Sequence, residues 1–165
     1  MNIDLDYILE TTVELLGIPS PVGFTDAAMN RVGEELNALN VPFKMTKKRA
    51  IIAFIEGENR NYKKMISAHL DTLGAVVKKI KPNGRLELIN VGGCPWAGVE
   101  GENLTVHTLD GREYEGTLLP TKCSVHIYGD VAREMPRTAE TMEVRLDEDV
   151  HTAEDTEKLG IRVGD

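Results

Sequence analysis

His69 and Asp71 are the residues of this chain best placed to do chemistry. They close the run Met65-Ile66-Ser67-Ala68-His69-Leu70-Asp71-Thr72-Leu73-Gly74, an apolar segment that ends in His-x-Asp before a glycine turn. Side chains two residues apart on an extended backbone emerge on the same face, so the pair can act on one ligand. The natural ligand is a metal ion. Imidazole nitrogen suits zinc or cobalt, and a nearby carboxylate can fix the ring's tautomer and raise its basicity, or serve a catalytic base further away. Spacing alone favours a second reading: a histidine at a strand end that is hydrogen-bonded to its neighbouring carboxylate.

The other chemistry-bearing residues form no such pair. Cys94 and Cys123 make no CxxC or zinc-ribbon spacing and read as free thiols in a reducing compartment. Nothing around either one supplies the positioned base that a nucleophilic thiol needs. His107, His126 and His151 match no zinc motif. The acidic stretch Leu146-Asp147-Glu148-Asp149-Val150 lacks the glycine and terminal glutamate of a calcium loop, so it reads as a solvated loop.

The elements that must position the pair follow from periodicity. Leu5, Ile8, Leu9, Val13 and Leu16 have helical spacing behind Asp4 as an N-cap. The run Gly17-Ile18-Pro19-Ser20-Pro21-Val22-Gly23 ends that helix. Ala28, Val32, Leu36 and Leu39 form the apolar stripe of a second helix. Residues 42–46 and 50–55 read as a hairpin around Lys47-Lys48-Arg49, and Tyr62 to His69 as a strand inside a covered sheet. After Thr72 the expected strands are 73–80, 86–91, 104–108, 113–119 and 142–146. Pro82-Asn83-Gly84 and Asp110-Gly111 are their strongest turn signals. A short helix over 152–159 stops at Gly160. Helices and strands first, then a run of strands, predict an α/β or α+β layer followed by a small barrel or sandwich.

Composition narrows the function classes. The chain has 165 residues, 41% of them hydrophobic, and a formal net charge of −8. That charge argues against a nucleic-acid partner, which would need clustered Lys and Arg. The apolar stretches are too short to span a bilayer and the N-terminus has no basic n-region, which leads us to expect a cytoplasmic protein with no membrane partner.

Ile18-Pro19-Ser20-Pro21-Val22-Gly23-Phe24, Ala68-His69-Leu70-Asp71-Thr72-Leu73-Gly74, Val91-Gly92-Gly93, the segment 104–111 followed by Glu115-Gly116, and Leu159-Gly160-Ile161-Arg162-Val163-Gly164-Asp165 occur in an order that resembles the M42 family of metallo-aminopeptidases. That family includes deblocking and glutamyl aminopeptidases and proteins labelled endoglucanase or cellulase M. Thr72 stands where the family often has an acidic residue. The resemblance implies an α/β fold: part of a zinc-peptidase-like α/β/α domain over 1–72, an inserted β-barrel dimerisation domain over 73–160, and a return to the peptidase domain at 161–165. It also implies two divalent metal ions, zinc or cobalt, with His69 as a metal ligand and Asp71 as the catalytic-site carboxylate that supports it. Peptide substrates and a homo-oligomer formed through the barrel follow from it in the same way.

The family's bridging Asp, catalytic Glu, remaining carboxylate ligands and final His find no counterpart in these residues. The expected protein is therefore a metal-dependent aminopeptidase that is incomplete in this chain, either a fragment or a truncated product. The alternative is a noncatalytic assembly or regulatory module derived from such a peptidase. Carbohydrate cleavage ranks last, because no pair of catalytic carboxylates at a glycosidase separation can be recognised.

Overall fold

The computed structural model describes residues 3–59 and 61–165. Its contacts fall into two compact units, Met1–Leu73 and Gly74–Asp165.

In the first unit, α1 (Leu5–Leu16) starts where expected, with the Asp4 carboxylate accepting from the Tyr7 N–H at 3.0 Å. Helix α2 spans Asp26–Ala38. Charged groups tie the two helices together. The Arg31 guanidinium donates to both carboxylate oxygens of Glu14 on α1 and to Glu35 one turn further along α2, and the Tyr7 hydroxyl donates to Glu35 at 2.7 Å. These bonds hold the Glu35 carboxyl below its ordinary range, Tyr7 first and Arg31 second. Strands β1 (Phe43–Met45) and β2 (Ile51–Ala53) form a two-stranded antiparallel sheet. Its turn passes through Arg49 at φ 66°, and the Arg49 side chain pairs with Asp26 at 2.7 Å. The basic turn is thus anchored to α2.

Residues 62–71 correct the expectation of a strand from Tyr62 to His69. A strand exists through its ladder, and among the described residues nothing pairs with this segment until the single parallel bridge between Pro21 and Thr72. Met65 and Ile66 are correspondingly 90% and 96% exposed.

The second unit holds the main hydrophobic core. Strands β3 (Gly74–Ile80), β4 (Leu86–Val91), β5 (Asn103–His107), β6 (Glu113–Pro120) and β7 (Met142–Leu146) form one antiparallel sheet in the order β3-β4-β7-β6-β5. The expected closed barrel is not seen: among the described residues the strands form an open five-stranded sheet, whose order leaves β3 and β5 as unpaired edges. Alternation places Leu86 and Leu88, and Met142, Val144 and Leu146, on one face, where they pack with Val77, Val106, Leu118 and Ile161. Glu143 lies between two of these residues and is buried too, because Lys81 at 2.9 Å and Arg85 neutralise its carboxylate. At Gly116, β6 approaches β7 so closely that a Cβ would stand 2.8 Å from the Arg145 carbonyl and from a Val144 methyl.

Three short α-helices, α3 (Val125–Tyr128), α4 (Asp130–Glu134) and α5 (Ala153–Lys158), and a 3-10 turn at Trp96–Gly98 complete this unit. Helix α5 begins with a capping box between Thr152 and Asp155, and its buried Thr156 hydroxyl donates to the Gly84 carbonyl at 2.7 Å. The last residues are held by the same unit. Ile161 is fully buried, and Val77 N–H donates to the Asp165 carbonyl at 2.8 Å. Among the described residues no helix is long and apolar enough to cross a membrane.

Candidate metal site

His69 and Asp71 do come together. The imidazole Nδ1 lies 3.3 Å from an Asp71 carboxylate oxygen, with the side chains 81% and 44% exposed. The reason differs from the one the sequence offered, since no strand ladder fixes these residues. Their position rests on the Ile18-Pro19-Ser20-Pro21 run. Ser20 is fully buried, and its hydroxyl donates to the Leu70 carbonyl at 2.9 Å. The Ser20 carbonyl accepts from the Thr72 N–H at 3.0 Å, and the Ser20 N–H donates to the Thr72 hydroxyl at 3.2 Å. Leu70 and Thr72 are the residues on either side of Asp71.

Both segments stand out as sequence motifs, but no local pattern gives Ser20 or Thr72 a part in the site. A serine between two prolines was the available signal. Pro19 and Pro21 have fixed φ and no N–H, and the residue before a proline is restricted to extended backbone. Ser20 is therefore presented in a defined conformation.

Chemically, an Nδ1 facing a carboxylate leaves the opposite ring nitrogen, Nε2, as the donor available to an ion. The pair fits one corner of a metal site. It does not fit a complete one, because a catalytic zinc takes three protein ligands and a water. Among the described residues no group of three or more His, Cys, Asp or Glu side chains is placed to hold an ion.

The remaining histidines belong to the second unit. His107 lies 3.2 Å from Glu113 and His151 3.1 Å from Asp149. Both cysteines are free thiols.

The fold is a mixed α/β chain in which the His69 and Asp71 side chains face each other. A family model described as M42 glutamyl aminopeptidase matches residues 50–165, and the chain belongs to that family of metallopeptidases. It is 43% identical over 157 residues to "Putative aminopeptidase YhfE" of Bacillus subtilis (strain 168), covering 95% of this chain and 45% of the relative. Its fold is similar to that of aminopeptidase APDkam598 from the archaeon Desulfurococcus kamchatkensis, with TM-score 0.82 and 25% identity over 97% of this chain and 42% of the other. It is also similar to the TET aminopeptidase from the marine sediment archaeon Thaumarchaeota archaeon SCGC AB-539-E09, with TM-score 0.81 and 22% identity over 96% and 43% of the two chains. The chain spans less than half the length of each of these relatives.

Proposed function

We propose that this chain supplies His69 and Asp71 to a metal-dependent aminopeptidase that removes N-terminal residues from peptides. The observation that carries the reading is the 3.3 Å approach of His69 Nδ1 to Asp71 in a chain of this family. In this role Asp71 orients the imidazole and selects its tautomer, and His69 Nε2 is the metal donor. A bound divalent ion, zinc or cobalt in this proposal, polarises the scissile carbonyl and makes water a nucleophile at neutral pH. Two donors do not hold the pair of ions that the family resemblance implies, so the complete site draws on ligands outside these 165 residues. The same proposal assigns residues 1–72 to the peptidase domain and 73–160 to an inserted dimerisation domain, with 161–165 leading back out of it.

Metal uptake tests the reading. By equilibrium dialysis against zinc or cobalt, the chain is expected to bind less than two equivalents, with binding weakened by His69→Ala. Uptake that is the same in the wild type and in His69→Ala contradicts His69 as a ligand. Two tightly held equivalents contradict the shared ligand set.

The assembly-module reading has its own support. Leu5, Leu9, Val13 and Leu16 on α1 are all exposed, as are Met65 and Ile66, and an uncovered apolar helix stripe favours association. A homo-oligomer is expected on either reading. The module reading differs in expecting no His69-dependent metal uptake at all.

A further inference from the structure

We infer that Ser20 and Thr72 form a clasp that positions the His69–Asp71 pair, making Ser20 a positioning residue of the site. The inference rests on the metal-site reading and extends it to residues that touch neither an ion nor a substrate.

Among the described residues no strand ladder pairs with segment 62–71, and the tethers seen on its far end are few. Three of them converge on one residue from fifty positions upstream. The Ser20 hydroxyl holds the carbonyl of Leu70, immediately before Asp71, while the Ser20 N–H and carbonyl engage the hydroxyl and N–H of Thr72, immediately after it. Asp71 is thus bracketed on both sides, and His69 is one residue from the first tether. Outside this bracket the pair has little support, because both side chains are exposed.

The chemistry of Ser20 suits the task. Its side chain is fully buried, so its hydroxyl requires a partner, and the Leu70 carbonyl is that partner. Alanine would leave that carbonyl without its donor and free the backbone to rotate at Leu70. Pro19 and Pro21 limit the conformations from which the clasp must form. Groups that orient a metal ligand without touching the metal commonly change affinity by about 10–100-fold when replaced.

The experiment compares Ser20→Ala, Thr72→Val, Thr72→Ser and His69→Ala in the 165-residue chain. Cobalt affinity is measured by titration, and the His69 ring tautomer by nitrogen NMR without metal. Circular dichroism and urea midpoints report folding. Ser20→Ala is expected to weaken His69-dependent cobalt binding about tenfold or more and to shift the tautomer ratio. Thr72→Val moves both in the same direction by less, and Thr72→Ser, which keeps the hydroxyl, restores them.

A purely structural serine would lower the urea midpoint and leave affinity and tautomer at wild-type values, which overturns the inference. If the wild-type chain shows no His69-dependent binding, the metal-site reading fails separately. The clasp then stands or falls on whether Ser20→Ala changes the tautomer ratio. Should Ser20→Ala lose the helical signal, the Thr72→Val and Thr72→Ser pair decides in its place.

Discussion

The two units treat apolar residues in opposite ways. In Gly74–Asp165 the strands' alternating residues meet across one core, where Leu86 and Val144 are completely buried. In Met1–Leu73 the apolar stripe of α1 is well formed as a stripe, yet Leu9 and Val13 are each 64% exposed. Periodicity specifies an element and the face it will bury. It does not specify what covers that face. The second unit contains both halves of its contact surface, whereas the first buries few large apolar side chains and is crossed by polar ties: Arg31 to Glu14 and Glu35, Arg49 to Asp26, and Ser20 to the segment around Asp71.

Paired truncations provide the strongest test of that contrast. Leu86→Ala removes a fully buried side chain and is expected to cost about 2–5 kcal/mol. Leu9→Ala on exposed α1 should stay within about 0.5 kcal/mol. Urea denaturation of dilute protein measures both, and equal losses would mean that α1 is covered in solution.

Gly116→Ala tests the packing of the second unit more narrowly. Its new Cβ meets backbone at Arg145 rather than the end of a flexible side chain, so a loss of about 1–3 kcal/mol in the same measurement is expected. Thr152→Ala, which removes the N-cap oxygen of α5, should cost about 1 kcal/mol.

The smallest effect is a pH dependence. Hydrogen bonds from the Thr152 hydroxyl first, then from Lys158 and the His151 and Thr152 backbone, lower the Asp155 carboxyl from 3.8 to about 2. A carboxyl depressed on folding adds stability that is fully present above its unfolded value and is lost as pH falls through the folded one. Wild-type stability should therefore decline between about pH 4 and pH 2 more than that of Asp155→Asn. Superimposable pH profiles of the two proteins' melting temperatures would remove Asp155 from the explanation.

Much of the second unit was legible because its signals are local and mutually consistent. Turn chemistry at Pro82-Asn83-Gly84 and alternation in Met142-Glu143-Val144-Arg145-Leu146 locate β3, β4 and β7 to within a residue. Asp4 and the stripe behind it give both ends of α1. Alternation misplaces Glu143, which is buried through two cations that are 58 and 62 residues away in sequence. Helices α3 and α4 were missed because one-turn helices separated by Gly129 at φ 56° carry no periodic stripe. The expected strand over Tyr62 to His69 failed for a nonlocal reason: its composition suits a ladder, and no described residue provides one.

The candidate site was half legible. Residue type and spacing single out His69 and Asp71, while the contribution of Ser20 depends on a contact across fifty residues that no local pattern encodes.

The most direct test of this reading is an aminopeptidase assay of the purified 165-residue chain on a panel of aminoacyl reporter substrates. It is run with zinc or cobalt added, with a chelator control and with His69→Ala alongside. A chain that supplies only His69 and Asp71 should release no product above the metal-only blank. Chelator-sensitive release that disappears in His69→Ala would contradict this, showing that these residues assemble a working site by themselves.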